Sequence, residues 1–337
     1  MTILLGKSKS PRFKYYYGIP HCHTAYSTGK GTPLEALEYS KNNGLDFIII
    51  TDHNSYLDKS ASLTNKNITR WSSCKSIIDK FRKKNDNFLP IIGFETKTSS
   101  YGDFNIINSS TFFTGVIRNL NLLLLWMLNN PNSVVTINHP HKNILLLDYN
   151  EYLNKLITSI EVGNGCYPNK YVRYDKYYYC LLDKGWKLGA INGQDNHRIN
   201  FGDGENLTVI LCENLTRDCL INAFRQRRTY STESKTLKLF FKINNYFMGD
   251  EIIDAPNKMR FSIFVEDIKR KINSIEIITN GSKIIKKISN INLNSIKYIY
   301  EHEASSKESW YVVKVYEDGN RIAISSPIFV NQKKLPI

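Results

Sequence analysis

Helical stretches and apolar strands alternate along the first two thirds of this 337-residue chain. The segment Thr32-Pro33-Leu34-Glu35 has the pattern of a capping box with proline at the first helical position. Gly44 is the expected left-handed residue at the end of that helix. The apolar run Leu45–Ile50 follows at once, which is typical of a strand buried on both faces of a parallel sheet. This alternation predicts an α/β fold with a parallel sheet, open or closed into a barrel.

The alternation continues to about residue 227, and the pattern of predicted elements changes after about Ser234. After the first pair, the pattern predicts helix 69–84, strand 88–94, helix 119–130, strand 133–138, strand 159–162, helix 171–184, strand 187–192, strand 207–212 and helix 216–227. The remaining residues predict short strands separated by turns, at 237–243, 260–266, 274–279, 296–301 and 310–316. We therefore expect an α/β domain over residues 1–232 and a small β-sandwich of immunoglobulin type over residues 233–337.

The location of the protein is predicted from what its sequence lacks. The longest fully apolar run, Leu122–Leu128, is far too short to cross a membrane and is predicted to be a buried helix. The first residues show no apolar core of a secretory signal, and the six cysteines include no C-x-x-C pair. We expect a cytoplasmic protein with reduced thiols and no membrane partner. The sequence leaves its oligomeric state open.

The net charge of +14 raises the question of nucleic-acid binding. The charge is spread along the chain, with +9 on residues 1–230 and +5 on residues 231–337. No basic stripe stands out, so a nucleic-acid partner is not favoured.

The positions of the histidines predict a metal site. Six of the seven histidines fall in four short windows, each directly after an apolar strand: His21-Cys22-His23, Asp52-His53, His139-Pro140-His141 and Asp195-Asn196-His197. Glu95 ends a further apolar strand. Functional sites of parallel α/β folds are built at the carboxyl ends of the strands, where these windows would converge. Imidazole and carboxylate ligands suit Zn²⁺, Mn²⁺ or Fe²⁺, and this many candidates could hold two ions or three.

Together the windows resemble a known family. The motifs are His21-Cys22-His23-Thr24, Thr51-Asp52-His53-Asn54, Gly93-Phe94-Glu95, Asn138-His139-Pro140 and Gly193-Gln194-Asp195-Asn196-His197. Over about residues 17–212 they resemble the PHP superfamily of polymerase-and-histidinol-phosphatase-type metallohydrolases, whose fold is a distorted (β/α)7 barrel. The segments Arg227–Thr232, Met248–Asp250 and Ser326–Val330 resemble its carbaryl-hydrolase-like branch, which carries a C-terminal β-sandwich.

The resemblance implies a set of ligands. One metal ion would be held by His21, His23, Glu95 and Asp195, and Glu95 would bridge to a second ion that His139 also binds. A third ion would take His53 and His197. Glu95, Asp195 and His197 are the predicted catalytic residues.

The chain departs from the family at two positions. Thr28 stands where a further ligand of the third ion is usual, and Asp103 stands near the place of a histidine. Asp103 could still bind a metal through oxygen.

The predicted activity is hydrolysis of a small phosphomonoester or nucleotide by a hydroxide that bridges the ions. Lys30, Arg198 and His141 are predicted to contact the phosphorylated substrate, and Asp52 to orient a histidine. Three alternatives stay open: a carboxyl-ester or carbamate hydrolase, a 5′–3′ exonuclease-type phosphodiesterase, and a non-catalytic metal-binding module.

Overall fold

The computed structural model describes residues 13–62 and 67–331. The helices are α1 (Pro33–Asn42), α2 (Arg70–Arg82), α3 (Leu120–Leu128), α4 (Glu151–Leu156), α5 (Asp175–Asp183) and α6 (Arg217–Arg225). The strands of the alternating part are β1 (Lys14–Ile19), β2 (Phe47–Ile50), β3 (Leu89–Thr98), β4 (Gly102–Ile107), β5 (Val134–Ile137), β6 (Ile157–Asn164), β7 (Val172–Arg173), β8 (Gly189–Gly193), β9 (Leu207–Cys212) and β10 (Thr229–Thr232). The later strands are β11 (Lys238–Ile243), β12 (Tyr246–Phe247), β13 (Glu251–Ile253), β14 (Lys258–Glu266), β15 (Ile272–Thr279), β16 (Lys283–Ile288), β17 (Ser295–Glu303), β18 (Trp310–Glu317), β19 (Arg321–Ser325) and β20 (Ile328–Asn331).

The first helix forms as the sequence predicts. Thr32 Oγ1 accepts a hydrogen bond from the amide of Glu35, and the Glu35 carboxylate accepts one from the amide of Thr32. Pro33 occupies the first helical turn, where its missing N–H costs nothing. Gly44 has φ +76°, the left-handed conformation that ends a helix most readily at glycine. The chain then enters the fully buried strand β2.

The alternating part is a mixed α/β fold built on parallel strands. β1, β2 and β3 pair in parallel, as do β5, β6 and β8. β4 lies between these two sets and pairs antiparallel with both β3 and β5. The sequence predictions do not include β4, which follows β3 after a tight turn at residues 99–101.

The two ends of this strand series meet at the carboxyl end of the sheet. The amide of Asp195, just after β8, donates to His21 O at 3.0 Å, and the amide of His23 donates to Asn196 O at 3.0 Å. We call these two main-chain hydrogen bonds the 21–23/195–196 seam. Deeper in the sheet, Thr208 Oγ1 donates to Asn192 O and accepts from its amide, both at 2.9 Å. Backbone groups of β8 that have no strand partner there are thus satisfied by a side chain.

Helix α6 covers the other end of the strand series. Leu220, Ile221 and Phe224 of α6 share one apolar cluster with Ile91 of β3 and Val134 of β5. These side chains pack against the amino-terminal parts of β3 and β5 and bury their apolar residues.

The later strands continue the first sheet and add another. β10 pairs with β9 on one side and with β19 on the other, so one sheet runs across the predicted domain boundary at residues 232 and 233. A separate four-stranded sheet has the order β12-β11-β14-β17. Alternate side chains of this sheet, such as Phe241 and Phe261, share a core with Ile277 and Val313 of the continued sheet.

The prediction that the Leu122–Leu128 run is buried is wrong for three of its leucines. Helix α3 buries Leu123 and Met127, whereas Leu122, Leu125 and Leu128 are 61%, 60% and 75% exposed. A helix on the surface of a core turns only one stripe inward, even when every side chain is apolar. Among the described residues, no helix has the length and apolar character needed to cross a membrane.

Candidate metal centre

The strand-end windows meet at the carboxyl end of the sheet. The side chains brought together are those of His21, His23, His53, Glu95, Asp103, His139, Asp195 and His197. Four overlapping groups have ligand atoms within 4.8 Å of one another: His21-His23-Glu95, His21-His139-Asp195, Glu95-Asp103-His139 and His23-His53-His197. All seven metal ligands inferred from the sequence are in these groups, and Asp103 joins them.

Glu95 lies at the centre of the cluster and is 1% exposed. Its Oε1 is 3.3 Å from His21 Nε2 and 3.2 Å from His139 Nε2. Its Oε2 is 3.3 Å from His23 Nε2 and 3.0 Å from His53 Nδ1. Each carboxylate oxygen therefore faces a different pair of imidazoles, which is the arrangement that a bridging carboxylate needs.

Asp195 and His197 complete the cluster from the loop after β8. Asp195 Oδ1 is 3.1 Å from His23 Nε2 and 3.4 Å from His21 Nε2. The His197 ring stacks 4.6 Å from the His23 ring, and its Nδ1 is 2.9 Å from the carbonyl oxygen of Asp195. An N–H at Nδ1 donating to that carbonyl leaves Nε2 with a free lone pair.

Two ligands of the cluster, His139 and Asp195, have a positive φ, which residues other than glycine rarely adopt. φ is +23° at His139 and +50° at Asp195. Such residues cost on the order of 1–3 kcal/mol and cluster at functional sites. The amide of His139 donates to Glu161 Oε2 at 2.7 Å, and that of Asp195 donates to His21 O. Contacts within the cluster thus hold both turns in place.

Glu161 of β6 supports the cluster from behind and was missed by sequence reasoning. Its Oε1 accepts from His21 Nδ1 at 2.8 Å, and its Oε2 accepts from Asn164 Nδ2 at 2.8 Å. Gly193 leaves room for this carboxylate, because a Cβ there would lie 1.9 Å from Glu161 Oε1. A carboxylate partner on one imidazole nitrogen is the usual support for a histidine that binds metal through the other.

The donor set fits divalent cations. The hydrogen bond to Glu161 places a proton on His21 Nδ1, so His21 Nε2 faces Glu95 and Asp195 with its lone pair. The Nε2 atoms of His21 and His23 are only 3.2 Å apart. Asp195 Oδ1 is buried and accepts no hydrogen bond of good geometry from the described residues. Converging lone pairs and an unpartnered carboxylate oxygen call for a cation between them.

The local electrostatics also favour bound cations. Burial opposes a charged His21, yet the carboxylates of Asp195, Glu161 and Glu95 raise its pKa well above the usual range. Burial likewise opposes charge on His23 and His139, but hydrogen bonds to carboxylates raise the pKa of each to about 9. Burial disfavours the Glu95 anion, but His21 and the other imidazoles hold its pKa well below the usual range. The carboxylates of the cluster therefore favour positive charge on the groups around them.

Asp52 supports the cluster through the loop after β1. It accepts hydrogen bonds from the amide of Thr24 at 2.7 Å and from Ser27 Oγ at 2.5 Å. Ser27 Oγ is in turn 3.4 Å from His23 Nδ1. Asp52 thus reaches His23 through Ser27.

Two more residues of the site lie outside the sequence predictions of its ligands. Asn138 Nδ2 donates to Glu95 Oε1 at 2.8 Å. Burial and then the charges of Glu161 and Asp195 raise the pKa of Tyr174, which precedes α5, to about 12. Asn138 belongs to the Asn138-His139-Pro140 motif but is not among the predicted ligands, and Tyr174 shows no distinctive pattern in the sequence.

The three residues predicted to bind substrate are all exposed. Arg198 lines a cavity of about 340 Å³ together with Tyr167 and Asp203, and none of the candidate metal ligands lines that cavity. His141 Nδ1 accepts from the amide of Asn143 at 3.2 Å and so caps a short 3₁₀ turn. Lys30 lies in the loop between β1 and α1, and Thr28, in the same loop, is also exposed.

Comparison with known proteins agrees with this geometry. The PHP domain family matches residues 20–193, which is more than half of the chain. This protein belongs to the PHP domain family. The match contains the strand-end windows from His21 to His139, and Asp195 and His197 follow directly after it.

Two single proteins are also similar to this chain. An uncharacterized protein of Chlamydia muridarum is 27% identical over 174 residues, a match that covers 44% of this chain and 28% of that protein. A crystal structure from Bacteroides vulgatus, described as a two-domain protein containing a predicted PHP-like metal-dependent phosphoesterase, has a TM-score of 0.54 at 15% identity. It covers 90% of both chains, and at this identity the likeness shows the fold alone.

Proposed function

We propose that this PHP protein is a metal-dependent phosphoesterase that hydrolyses small phosphomonoesters or nucleotides. The observation that carries the proposal is the convergence of five imidazoles on Glu95 and Asp195 at the open end of the sheet. Divalent ions bound there would make water a better nucleophile near neutral pH and would neutralise charge on phosphate oxygens.

The protein's own residues divide the work of such a site. Glu95 presents one oxygen to His21 and His139 and the other to His23 and His53, so it would hold two ions at a fixed separation. Asp195 would complete the first ion's ligands.

His197 belongs to the group formed with His23 and His53. It is half-buried. The hydrogen bond from its Nδ1 to the Asp195 carbonyl oxygen leaves a lone pair on Nε2. We assign a third, weaker ion to this group, because Thr28 supplies no carboxylate or imidazole there.

A phosphate is favoured over a neutral ester by the cations around the site. Arg198 follows His197 directly in the chain and is exposed. Its guanidinium could bind two phosphate oxygens at once. Lys30 is a further exposed cation in the loop that follows His23.

The test is a substrate panel with purified protein and added Mn²⁺, Zn²⁺ or Fe²⁺. We expect phosphomonoesters or nucleotides to be hydrolysed, and the His23→Ala variant to lose at least about a hundredfold of that activity, because His23 contacts both Glu95 and Asp195. His302→Ala is the matched control. His302 lies on β17, pairs with Glu308, and is the one histidine outside the four strand-end windows.

The remaining members of the panel test the other functions. Hydrolysis of aryl esters or carbamates alone would contradict the proposal and indicate a carboxyl-ester or carbamate hydrolase. Cleavage of oligonucleotides alone would indicate an exonuclease. Metal binding without any hydrolysis would indicate a binding module. Purified protein that takes up no divalent metal would contradict all of these metal-dependent functions.

The proposal extends to the finer fold. We assign the strand series closed by the 21–23/195–196 seam to the (β/α)7 barrel of the family, with β4 as its antiparallel member. The strands after residue 232 would then form the β-sandwich of the carbaryl-hydrolase-like branch, as the core shared by the two later sheets supports.

A further inference from the structure

A second cavity lies at the end of the sheet opposite the metal ligands. Its volume is about 550 Å³, and it is bordered by α2, by α6 and by the loops around residues 108–110 and 129–133. Ile92 of β3 lines it, whereas Glu95 lies three residues further towards the carboxyl end of the same strand. Ser133 lines it directly before β5, whereas His139 follows that strand. The cavity is therefore towards the amino ends of these strands, and the metal ligands are towards their carboxyl ends.

The wall of this cavity is polar to an unusual degree. Its hydrogen-bonding side chains are largely amides and hydroxyls, among them those of Asn108, Ser110, Asn129, Asn132, Ser133 and Asn222. Ligand cavities are more often apolar with a few polar groups. A ligand that fills this one must itself offer many hydrogen-bonding atoms.

Positive charge is in excess around the cavity. Lys75, Arg217 and Arg225 line it, against Asp79 and Asp218. Arg217 is 3.6 Å from Asp79, which Arg82 also approaches at 3.6 Å, so two guanidinium groups share one carboxylate at long distance.

Several polar groups of the wall lack partners. Burial and then the neighbouring Arg82 lower the pKa of Arg217, and Arg217 Nε is buried without a hydrogen-bond partner among the described residues. The hydroxyls of Ser109 and Ser133 are also buried and unpartnered there, and both residues are only 4% exposed. Buried polar groups left unpaired are costly and rare in proteins.

We propose that this cavity is a second binding site, separate from the metal centre, for a small molecule that carries a phosphate group. A phosphate would satisfy Arg217 and Lys75 with its charge and would give the Ser133 hydroxyl and the amide side chains acceptors. The cavity volume fits a molecule of nucleotide size. The site does not depend on the proposed phosphoesterase activity.

The test is calorimetric titration with phenylphosphonate, whose carbon–phosphorus bond resists hydrolysis. The titration uses the full chain carrying His23→Ala, which disables the metal centre and leaves the cavity intact. We expect saturable binding that weakens about tenfold or more when Lys75→Gln and Arg217→Gln are added, because two charged contacts are lost. Lys83→Gln, an exposed change just after α2 and outside the cavity, should leave the affinity unchanged.

A second variant keeps the test decisive if the double variant fails to fold. Asn222→Asp keeps the shape of an exposed α6 side chain and adds a negative charge to the cavity wall, so it should also weaken binding severalfold. Titration with inorganic phosphate shows whether the phosphate alone is recognised, and benzoate shows whether any anion suffices. Absence of saturable binding to the His23→Ala chain, or equal affinity in folded cavity variants, would overturn the proposal.

Discussion

At the scale of single residues, Glu161 connects three parts of the metal centre. Its carboxylate accepts from the imidazole of His21, from the amide of His139 and from the side chain of Asn164. It fixes which nitrogen of His21 carries the proton and also holds the left-handed turn at His139. Loss of either effect would misplace a predicted ligand by a fraction of an ångström or more.

Glu161→Gln should therefore lower metal affinity and activity about 10- to 100-fold, as loss of a ligand's support usually does. The amide can still accept at one atom, so the fold should survive. Metal titration followed by the phosphatase assay measures the effect. Glu276→Gln, the same change at a buried carboxylate paired with Lys287 in the later sheet, is the control. Equal losses in both variants would show that Glu161 has only a structural role.

The residue scale also shows where sequence reasoning succeeded and where it did not. His21, His23, His53, His139 and His197 could be grouped because histidine after an apolar strand is a rare pattern. Glu161 lies within a strand, between Ile160 and Val162, and no strand-end rule applies to it. A buried charge without a partner is strongly unfavourable, so an acid inside an apolar strand was the signal that could have identified it.

At the scale of elements, β4 is the missed strand that matters most for the site, because it carries Asp103. The predictions relied on strands separated by helices, whereas β4 follows β3 after a turn of three residues. Because β4 runs in the opposite direction, its amino end reaches the metal centre, and Asp103 is at that end. A ligand at the start of a strand falls outside a rule based on carboxyl ends.

The helices α1, α2 and α6 were predictable because their caps and apolar spacing are local properties.

β18 carries a buried acid that should make folding depend on pH. Glu317 is 1% exposed, and burial, followed by the charge of Asp267, raises its pKa to about 9. An exposed glutamate in the unfolded chain titrates near 4.5. The folded form therefore keeps a proton that the unfolded form loses, and this contribution to stability is full below pH 4.5 and is lost as the pH rises towards 9.

Glu317→Gln should remove that dependence. Its free energy of unfolding, measured by urea denaturation at pH 5, 7 and 9, should exceed that of the unchanged protein by a margin that grows with pH. Comparing the two proteins at each pH cancels the titration of the metal ligands, which they share. Parallel profiles for the two proteins would contradict the prediction.

At the scale of the whole molecule, metal ions should stabilise the fold, because an ion that binds only the folded chain shifts the unfolding equilibrium. At a free metal concentration 100 times Kd, the expected gain is about 2.7 kcal/mol for one site. The midpoint of thermal unfolding should therefore rise on addition of Mn²⁺ or Zn²⁺ and fall on chelation. The same experiment with His23→Ala should show a much smaller shift, and an equal shift in both proteins would place the bound metal elsewhere.

The 21–23/195–196 seam joins the first and last strands of the series through the same residues that are proposed to hold metal. Breaking the seam and releasing the metal ligands would then be one event rather than two. The amides of His23 and Asp195 donate the seam's two hydrogen bonds, so their exchange with deuterium should slow when metal is bound. These two amides would report the occupancy of the centre in any sample, with no substrate present.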